Sequence, residues 1–502
     1  MIKICQKTAW IVSFLFFCTL VSCKGTFLNP IKLTVDYTAM PGPEQALLTS
    51  VLAKVNKDFA VTDKPGPGII TVTYEGRFTT WAKTETPPPA DFPNSVFIPL
   101  SQICMVPRAK VSEGKVSVGS STLVPLEDVA PPYLALKVDG LDVSDPDYPL
   151  VYQSGFRFSY EGPPHTKRAV KKINALAALL KEVSAGAFHQ TERPRLFRIA
   201  AGGDAMLARG VEEILFTEGI EAVLGGTAAL VRDADISMVN LEGAVTSRGE
   251  AAKKTYTFRF DPRTAAALKD AGFNAVLLAN NHAFDYGLTG FFDSLDHLEK
   301  AGLAVLGAGR DIQTAAHPFV SAASGPGNPT VRVFGIANYG PERNGWDGLD
   351  FAADEKTPGL LHAGNRGAEM IKAQLAGDDT LNVIFFHGGV EYADYPSQET
   401  RALYTELIRA GADLVIGTHP HVEQGFEWVE GKPVFWSLGD YVFDEMDDTP
   451  GGDKGLFIVL SYIGDRLVYL DPYPLFMKGP RTVIAPAAQL DRFFRLTKDL
   501  EK

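Results

Sequence analysis

The sequence predicts an α/β protein with more than one domain. Its 502 residues exceed the usual length of one domain. From Leu196 onward, short apolar segments alternate with helical patterns, which is typical of a largely parallel sheet covered by helices on both faces. Before that point the chain is rich in proline and in short β-branched segments. This part predicts a smaller α+β domain.

The N-terminus is predicted to be a targeting signal. Two lysines precede an apolar segment, residues 8–21, that is short for a transmembrane helix. The sequence Leu20-Val21-Ser22-Cys23 resembles a bacterial lipobox, which implies removal of residues 1–22 and acylation of Cys23. The alternatives are an ordinary secretory signal and a short anchor. We therefore expect an exported protein that is lipid-anchored to a bacterial membrane, on its periplasmic or extracellular face.

Composition argues against several classes of function. The formal net charge of −12 argues against nucleic-acid binding, which requires a basic surface. After signal removal and acylation only Cys104 remains, so we expect no disulfide framework and no cysteine metal site. The chain has no G-x-x-x-x-G-K-[ST] loop, which argues against an ATP-dependent ligase.

Residues 24–186 are predicted to form the accessory α+β domain. A helix is expected over residues 44–56, and an amphipathic helix over 167–183 precedes a linker at 184–195. Residues 124–129 and 148–150 look like part of one lobe of an extracytoplasmic solute-binding protein. An α+β domain with another role is the alternative.

The pattern from Leu196 onward predicts strands and helices in alternation. The predicted strands are residues 196–201, 236–239, 275–279, 303–306, 382–386 and the apolar segment ending at Thr418. A helix begins at Asp261-Pro262, with Asp as the N-cap and Pro at the first helical position, and Gly272 ends it. Two more helices are predicted over 289–301 and 399–410.

Polar residues of metal-ligand type follow these strands. They are Asp204, Asn240, Glu242, Asn281, His282, His387, His419 and His421. In α/β sheets the ligand crevice lies at the carboxyl ends of the strands. Strand alternation would put His419 and His421 on one side. Mixed oxygen and nitrogen ligands suit one or two ions of the Mn, Fe or Zn type. Each residue taken singly also has a local explanation, as a helix cap, a turn residue or a solvated loop acid.

The motifs that contain these residues resemble the capsule-synthesis family CapA, also called PGA_cap. The matching motifs are Gly203-Asp204, Asn240-Leu241-Glu242, Ala279-Asn280-Asn281-His282, His387-Gly388-Gly389, His419-Pro420-His421 and Ser437-Leu438-Gly439-Asp440. The resemblance covers about residues 196–475 and leaves 476–502 as a C-terminal tail. It implies a calcineurin-like metallophosphoesterase sandwich of mixed sheets with flanking helices.

The resemblance also implies roles for individual residues. Asp204, Asn281, His387, His419 and His421 match metal ligands, Glu242 matches the bridging acid, and His282 matches a catalytic acid or oxyanion stabiliser. Arg209, Asn240 and Glu391 are candidates for substrate binding. A surface ion pair is the alternative for Arg209, and a supporting position beside the ligands is the alternative for Glu391.

Three departures from the family pattern stand out. Met206 occupies the place where phosphoesterases usually carry a histidine, which puts a full binuclear centre in question. Gly388 replaces a frequent Trp, and Asp440 replaces a frequent Asn. Asp440 is either a further ligand or a turn residue, and the turn is the preferred interpretation.

The predicted function is that of a membrane-tethered, metal-dependent hydrolase of the metallophosphatase type. It would act in the biosynthesis or export of a capsule or envelope polymer such as poly-γ-glutamate. The substrate would be an anionic polymer or a phosphorylated small molecule, and other capsule or export proteins would be partners. The alternative is a lipoprotein on the same scaffold that binds a polymer without chemistry.

Overall fold

The computed structural model covers most of the chain after the signal segment. It describes residues 31–38, 40–54, 59–62, 70–79, 95–110, 123–131, 133–137, 141–148, 151–160, 171, 174–176, 178–180, 182, 193–321, 328–342, 346–375, 380–446 and 449–500. Cys23, the predicted signal peptide and most of the predicted linker lie outside the described residues. Among the described helices, none combines the length and apolar character that a membrane crossing requires.

The chain divides into two compact units that interleave along the sequence. The first comprises Met1–Arg77, Lys83–Gln102 and Gln153–Gln190, and the second comprises Phe78–Ala82, Ile103–Tyr152 and Thr191–Lys502. The sequence predicts consecutive domains at 24–186 and 196–475, whereas residues 103–152 cluster with the C-terminal part of the chain.

The described residues of the N-terminal part form several strands and helices. Strand Ile31–Val35 lies between the parallel strands Phe59–Val61 and Ile70–Thr79. The helix Gly42–Lys54 buries Leu48, Val51 and Leu52. The remaining strands of this part are Ser95–Lys110, Leu123–Pro125, Tyr133–Ala135 and Val151–Tyr160.

The second unit contains a first large sheet with both parallel and antiparallel pairs. Its strand order is Ala304–Leu306, Ala275–Leu277, Ile236–Leu241, Phe197–Ala205, Lys454–Ile463, Arg466–Lys478 and Arg481–Ile484. The first four strands are parallel to one another and the last three join them in antiparallel fashion. The short strand Asp440–Val442 pairs in parallel with the end of Phe197–Ala205.

A second sheet of the same unit is also mixed. Its order is Phe319–Ser321, Thr330–Asn338, Thr380–Gly388, Leu414–Thr418, Lys432–Leu438 and Glu423–Val429. The four central strands are parallel and the two outer strands antiparallel. Two short ladders complete the strands, Ala244–Val245 with Arg259–Phe260 and Ala308–Gly309 with Gly359–Leu360.

Helices flank both sheets. They are Gly210–Thr217, Ile220–Leu224, Thr227–Asp233, Arg263–Ala271, Gly287–Ala301, Ile312–Ala315, Gly367–Lys372, Gln398–Arg409 and Leu490–Leu500, with short 3₁₀ turns at Leu126–Asp128, Gly348–Phe351 and Ala487–Gln489. The helix predicted from Asp261 begins at Arg263, with Pro262 as the N-cap. Asp261 still serves this end, because its Oδ1 accepts from Arg263 N at 2.8 Å.

The period-two pattern of one strand shows how the layers pack. In Thr380–Gly388, Val383 and Phe385 join the core that includes the first sheet, while Ile384 and Phe386 pack on the other face with Tyr404 of the helix Gln398–Arg409. Successive side chains of a strand point to opposite faces. The second sheet is therefore covered on one face by the first sheet and on the other by helices. This confirms the predicted sandwich of mixed sheets with flanking helices.

Residues 476–502 do not form a separate tail. The strand Arg466–Lys478 enters this segment, and the helix Leu490–Leu500 follows. Thr497 Oγ1 accepts from Phe426 N at 3.0 Å, and Arg492 donates to Glu423 O at 2.8 Å. The segment packs against the second sheet because its apolar residues, such as Phe493, are buried there.

Candidate metal centre

The first sheet supplies carboxylates at one point. Asp204 lies inside the strand Phe197–Ala205, not after it, and is in register with Asn240 on one side and Asp440 on the other. A Cβ at Gly203 would collide with the carbonyl oxygen of Gly439. The missing side chain lets the two segments approach, and Asp204 N donates to Gly439 O at 3.0 Å.

The second sheet supplies the imidazoles. His387 lies near the end of Thr380–Gly388, and His419 and His421 lie in the loop after Leu414–Thr418. Both loop histidines have positive φ, 96° and 58°. The expectation that strand alternation aligns them is wrong, because they belong to a left-handed turn and not to the strand. The turn nevertheless brings their rings together, with centroids 6.2 Å apart.

Three predicted ligands meet on the histidine side of the cluster. His387 Nε2 lies 3.0 Å from Asn281 Oδ1 and 3.1 Å from His419 Nδ1. All three residues are buried. Burial lowers the pKa of His387 and, more strongly, that of His419, so both imidazoles are neutral and suited to bind a cation.

The carboxylates and imidazoles form two overlapping groups. Within each group the ligand atoms lie within 4.8 Å of one another. One group is Asp204, Glu242 and His387, and the other is Asp204, His421 and Asp440. Asp204 is the residue that the groups share, whereas the resemblance implies that Glu242 is the bridging acid. Asp440 is fully buried on a strand, which disagrees with its interpretation as a turn residue.

Two buried carboxylate oxygens show that this donor set fits a cation. Glu242 Oε1 and Asp440 Oδ2 have no hydrogen-bond partner. Glu242 Oε1 lies 3.9 Å from His282 Nε2 and 3.8 Å from His421 Nε2, beyond hydrogen-bond reach. Buried carboxylates without partners are costly, and a divalent ion removes that cost. Mixed oxygen and imidazole ligands are typical of Mn, Fe and Zn sites.

The proton affinities of the carboxylates diverge. Burial would raise the pKa of Asp204, but its hydrogen bond with His387 and the charge of His421 lower it to about 2. Burial and the charge of Asp204 raise the pKa of Glu242 well above its ordinary value. Burial likewise raises the pKa of Asp440 to about 7, although His421 opposes the rise. Asp204 is therefore the carboxylate that is ionised without a metal.

His282 lies beside the cluster and is held from behind. Its Nδ1 lies 2.6 Å from Asp285 Oδ2, and its ring packs on Phe258 with centroids 4.2 Å apart. Asp285 therefore fixes the orientation of the His282 ring. Burial lowers the pKa of His282 despite the opposing charge of Asp285. A neutral ring that donates Nδ1–H to Asp285 leaves Nε2 facing Glu242 as a proton acceptor.

Lys254 is the main residue that the sequence interpretation missed. Its side chain is 1% exposed, and its Nζ lies 3.1 Å from Asp285 Oδ1, 3.0 Å from Glu342 Oε1 and 2.7 Å from the Asn281 carbonyl oxygen. It thereby ties the partner of His282 to the backbone of Asn281. The charged sequence of its loop is typical of an exposed segment, so the sequence does not indicate that Lys254 is buried.

The residues predicted to bind substrate have different surroundings. Asn240 is fully buried and donates to Asp204 Oδ1 at 2.7 Å, so it orients a ligand and does not face a substrate. Arg209 donates to Asp444 O at 2.9 Å and lies 3.4 Å from Glu445 Oε2, which matches the ion-pair alternative. Glu391 is exposed, and its charge contributes to the raised pKa of Glu242, so it lies near the cluster.

Met206 supplies no imidazole to the cluster. The residue is fully buried, and its sulfur accepts from Ala208 N at 3.3 Å. The sulfur of Met206 is therefore engaged by the backbone two residues further along the chain.

The fold and the buried cluster define a class, an α/β sandwich protein with a candidate metal centre between its two sheets. Residues 198–445 match the family model described as bacterial capsule synthesis protein PGA_cap. The predicted resemblance to this family is therefore confirmed for that segment, which is just under half of the chain.

Two curated relatives show the extent of the similarity. The PGA biosynthesis protein CapA of Bacillus subtilis (strain 168) is 30% identical over 245 residues, 48% of this chain and 62% of that protein. The capsule biosynthesis protein CapA of Bacillus anthracis is 29% identical over 314 residues, 60% of this chain and 72% of that protein. The match thus spans less than two thirds of the B. subtilis protein.

One solved structure, a 5'-nucleotidase from Candida albicans SC5314, aligns over 61% of this chain and 55% of its own, with 10% identity and a TM-score of 0.33. A score this low carries no argument about fold or function.

Metal binding at pH 7 should release protons. Without metal, the raised pKa values of Glu242 and Asp440 leave these carboxyls partly protonated, whereas a bound cation requires carboxylates. Affinity should therefore rise with pH. Calorimetric titration in two buffers of different ionisation enthalpy should give different apparent enthalpies, and equal enthalpies would contradict this account.

Replacing Lys254 by Met should destabilise the fold by about 3 kcal/mol or more, because Asp285 then keeps a buried charge without its partner. Chemical denaturation measures the effect. Lys372→Met is the matched control, because Lys372 pairs with Glu406 at the surface and its loss should cost at most about 1 kcal/mol. Equal losses in the free energy of unfolding for the two variants would show that the buried pair contributes no more to stability than the surface pair.

Proposed function

We propose that this chain is an exported, lipid-anchored, metal-dependent hydrolase of the metallophosphatase type that acts in the biosynthesis or export of a capsule or envelope polymer. The observation that carries the proposal is the buried cluster of Asp204, Glu242 and Asp440 with His387, His419 and His421. The unpartnered oxygens of Glu242 and Asp440 support a bound divalent cation.

The proposed division of labour follows from the contacts. Asp204, Glu242, Asn281, His387, His419 and His421 would hold the ion or ions. When bound, a divalent ion supplies Lewis-acid polarisation of a phosphoryl or carbonyl group and activation of water. Asn240 keeps Asp204 oriented through its hydrogen bond.

His282 is the proposed proton-transfer residue. Asp285 holds Nδ1, so the exchangeable position is Nε2, which faces Glu242 at 3.9 Å. Because burial lowers the pKa of His282, the ring is neutral near pH 7 and takes up a proton at Nε2 before it can donate one. Phe258 covers the ring and limits the access of water to it.

The substrate class is proposed from the family and from the chemistry of the site. The family description and the names of the two relatives refer to capsule or PGA biosynthesis. An anionic polymer or a phosphorylated precursor suits a cationic metal centre, and other capsule or export proteins are the proposed partners. Met206, which supplies no imidazole, favours the second candidate, a lipoprotein that holds the polymer without chemistry.

Export and anchoring rest on the sequence. The lipobox-like Leu20-Val21-Ser22-Cys23 supports acylation of Cys23 and attachment to the periplasmic or extracellular face of a bacterial membrane.

Cys23→Ser should prevent attachment of lipid. Cells grown with a labelled fatty acid should incorporate label into the original chain and not into the variant. Undiminished labelling of Cys23→Ser would reject this anchor, and a matched Cys104→Ser variant should keep the label.

His282→Ala should keep the metal and lose phosphoesterase turnover by about 10²–10⁴-fold, the usual range for a proton-transfer group. His419→Ala should lose metal, because it removes a ligand. The measurements are bis(p-nitrophenyl) phosphate hydrolysis and elemental analysis. The control is His317→Ala, which removes an exposed histidine.

A wild-type chain that holds metal but hydrolyses no phosphoester, while it retains poly-γ-glutamate in a binding assay, would favour the second candidate. Loss of metal in His282→Ala and its retention in His419→Ala would reverse the assigned roles.

A further inference from the structure

The buried cluster reaches solvent on the side of its imidazoles. The side chains of His282 and His421 are 9% and 7% exposed, whereas those of Asp204, Glu242 and Asp440 are fully buried. A substrate therefore approaches the cluster over these two rings. Side chains that border the rings and also face solvent are the ones that can contact a bound substrate.

Tyr392 is such a side chain. Its ring stacks on His421, with centroids 5.7 Å apart and an interplanar angle of 29°, yet the residue remains 44% exposed. Burial raises the pKa of Tyr392, and the charges of Asp440 and Glu242 add to the rise, so its hydroxyl lies within electrostatic reach of the cluster. One face of the ring thus covers a proposed ligand while the rest of the side chain is open to solvent.

The backbone holds Tyr392 in an unfavourable conformation. Its φ is 59°, which is rare for a bulky residue other than glycine. Tyr392 N donates to Pro420 O at 2.8 Å, which fastens the residue to the loop of His419 and His421. Strained residues of this kind cluster at functional sites, where the surrounding structure maintains them. The protein therefore positions this ring at a cost in backbone conformation.

The hydroxyl group of Tyr392 has no protein partner among the described residues. Tyr395, three residues further along the same loop, is equally exposed at 44%, but its hydroxyl donates to Asp499 Oδ2 at 3.1 Å. A phenol is a neutral hydrogen-bond donor, and such donors form short, strong bonds to anionic oxygens. The Tyr392 hydroxyl is thus available to a ligand that reaches the cluster.

We infer that Tyr392 is a substrate-binding residue of this chain, whose hydroxyl donates a hydrogen bond to an oxygen of the anionic group bound at the metal centre. The stacked ring of His421 supports the phenol from one side and fixes its direction. This inference rests on the proposed metal dependence and adds a residue that selects for an anionic group.

The competing explanation is that Tyr392 only shields His421 from water. Tyr392→Phe separates the two roles, because the variant keeps the ring that covers His421 and removes the hydroxyl alone. Tyr395→Phe is the matched control, since it makes the same substitution in the same loop at a hydroxyl that bonds to the C-terminal helix.

The test measures the binding of inorganic phosphate to the full-length chain, purified in detergent, loaded with Mn²⁺ and freed of excess ion. Titration calorimetry should show roughly tenfold or weaker phosphate binding by Tyr392→Phe than by the wild type, the effect of losing one hydrogen bond to a charged group. Elemental analysis should find equal Mn²⁺ in the two chains. Tyr395→Phe should bind phosphate as the wild type does.

Hydrolysis of bis(p-nitrophenyl) phosphate provides a second readout. The KM of Tyr392→Phe should rise while kcat stays within about twofold, because the hydrogen bond holds substrate and transition state alike. Phosphate binding that weakens in Tyr392→Phe without hydrolysis by any of the chains would support this inference and reject the hydrolase.

The other outcomes overturn the inference in distinguishable ways. Equal phosphate affinity of the wild type and Tyr392→Phe, or no phosphate binding by a metal-loaded wild type, would overturn it and leave the metal dependence intact. Loss of Mn²⁺ from folded Tyr392→Phe would assign Tyr392 to the support of the metal centre instead. No Mn²⁺ in any of the chains would overturn both this inference and the proposed function.

Discussion

Three ionisable carboxylates, Asp204, Glu242 and Asp440, are buried where the two sheets of the sandwich face each other. The structure of the site depends on how their negative charge is compensated. Part of this compensation comes from the amide of Asn240, the backbone N–H of His419 and the imidazoles of the second sheet. Oxygens of Glu242 and Asp440 still have no partner. A divalent cation would supply the positive charge that these contacts lack, because most of the surrounding imidazoles are neutral.

The backbone makes this concentration of charge possible. Gly203 and Gly417 lack side chains where a neighbouring carbonyl oxygen approaches, at Gly439 and Trp436 respectively. These close approaches bring polar residues of separate strands into register at one place. Behind the cluster, Lys254 forms a buried ion pair with Asp285 and donates to the carbonyl oxygen of Asn281. Asp285 in turn holds His282. The same lysine therefore supports both the proposed proton-transfer residue, His282, and a proposed ligand, Asn281.

Much of the sandwich and most of the cluster could be predicted from the sequence. The apolar strand patterns end at Asp204, Asn281 and His387, and parallel strands place their carboxyl ends on one edge. Other features depend on distant contacts. The left-handed turn at His419 and His421 shows no strand periodicity, and Lys254 lies in a loop whose composition suggests exposure. Asp440 follows a glycine in a turn-like motif, and only its register with Asp204 reveals its burial.

The most direct test of the metal centre is crystallographic. Diffraction from native crystals, measured on both sides of the Mn, Fe and Zn absorption edges, locates a bound ion by its anomalous signal. We expect an anomalous peak bordered by Asp204, Glu242 and His387. A well-ordered map without any such peak, in which Glu242 Oε1 hydrogen-bonds to a protein group instead, would contradict the account.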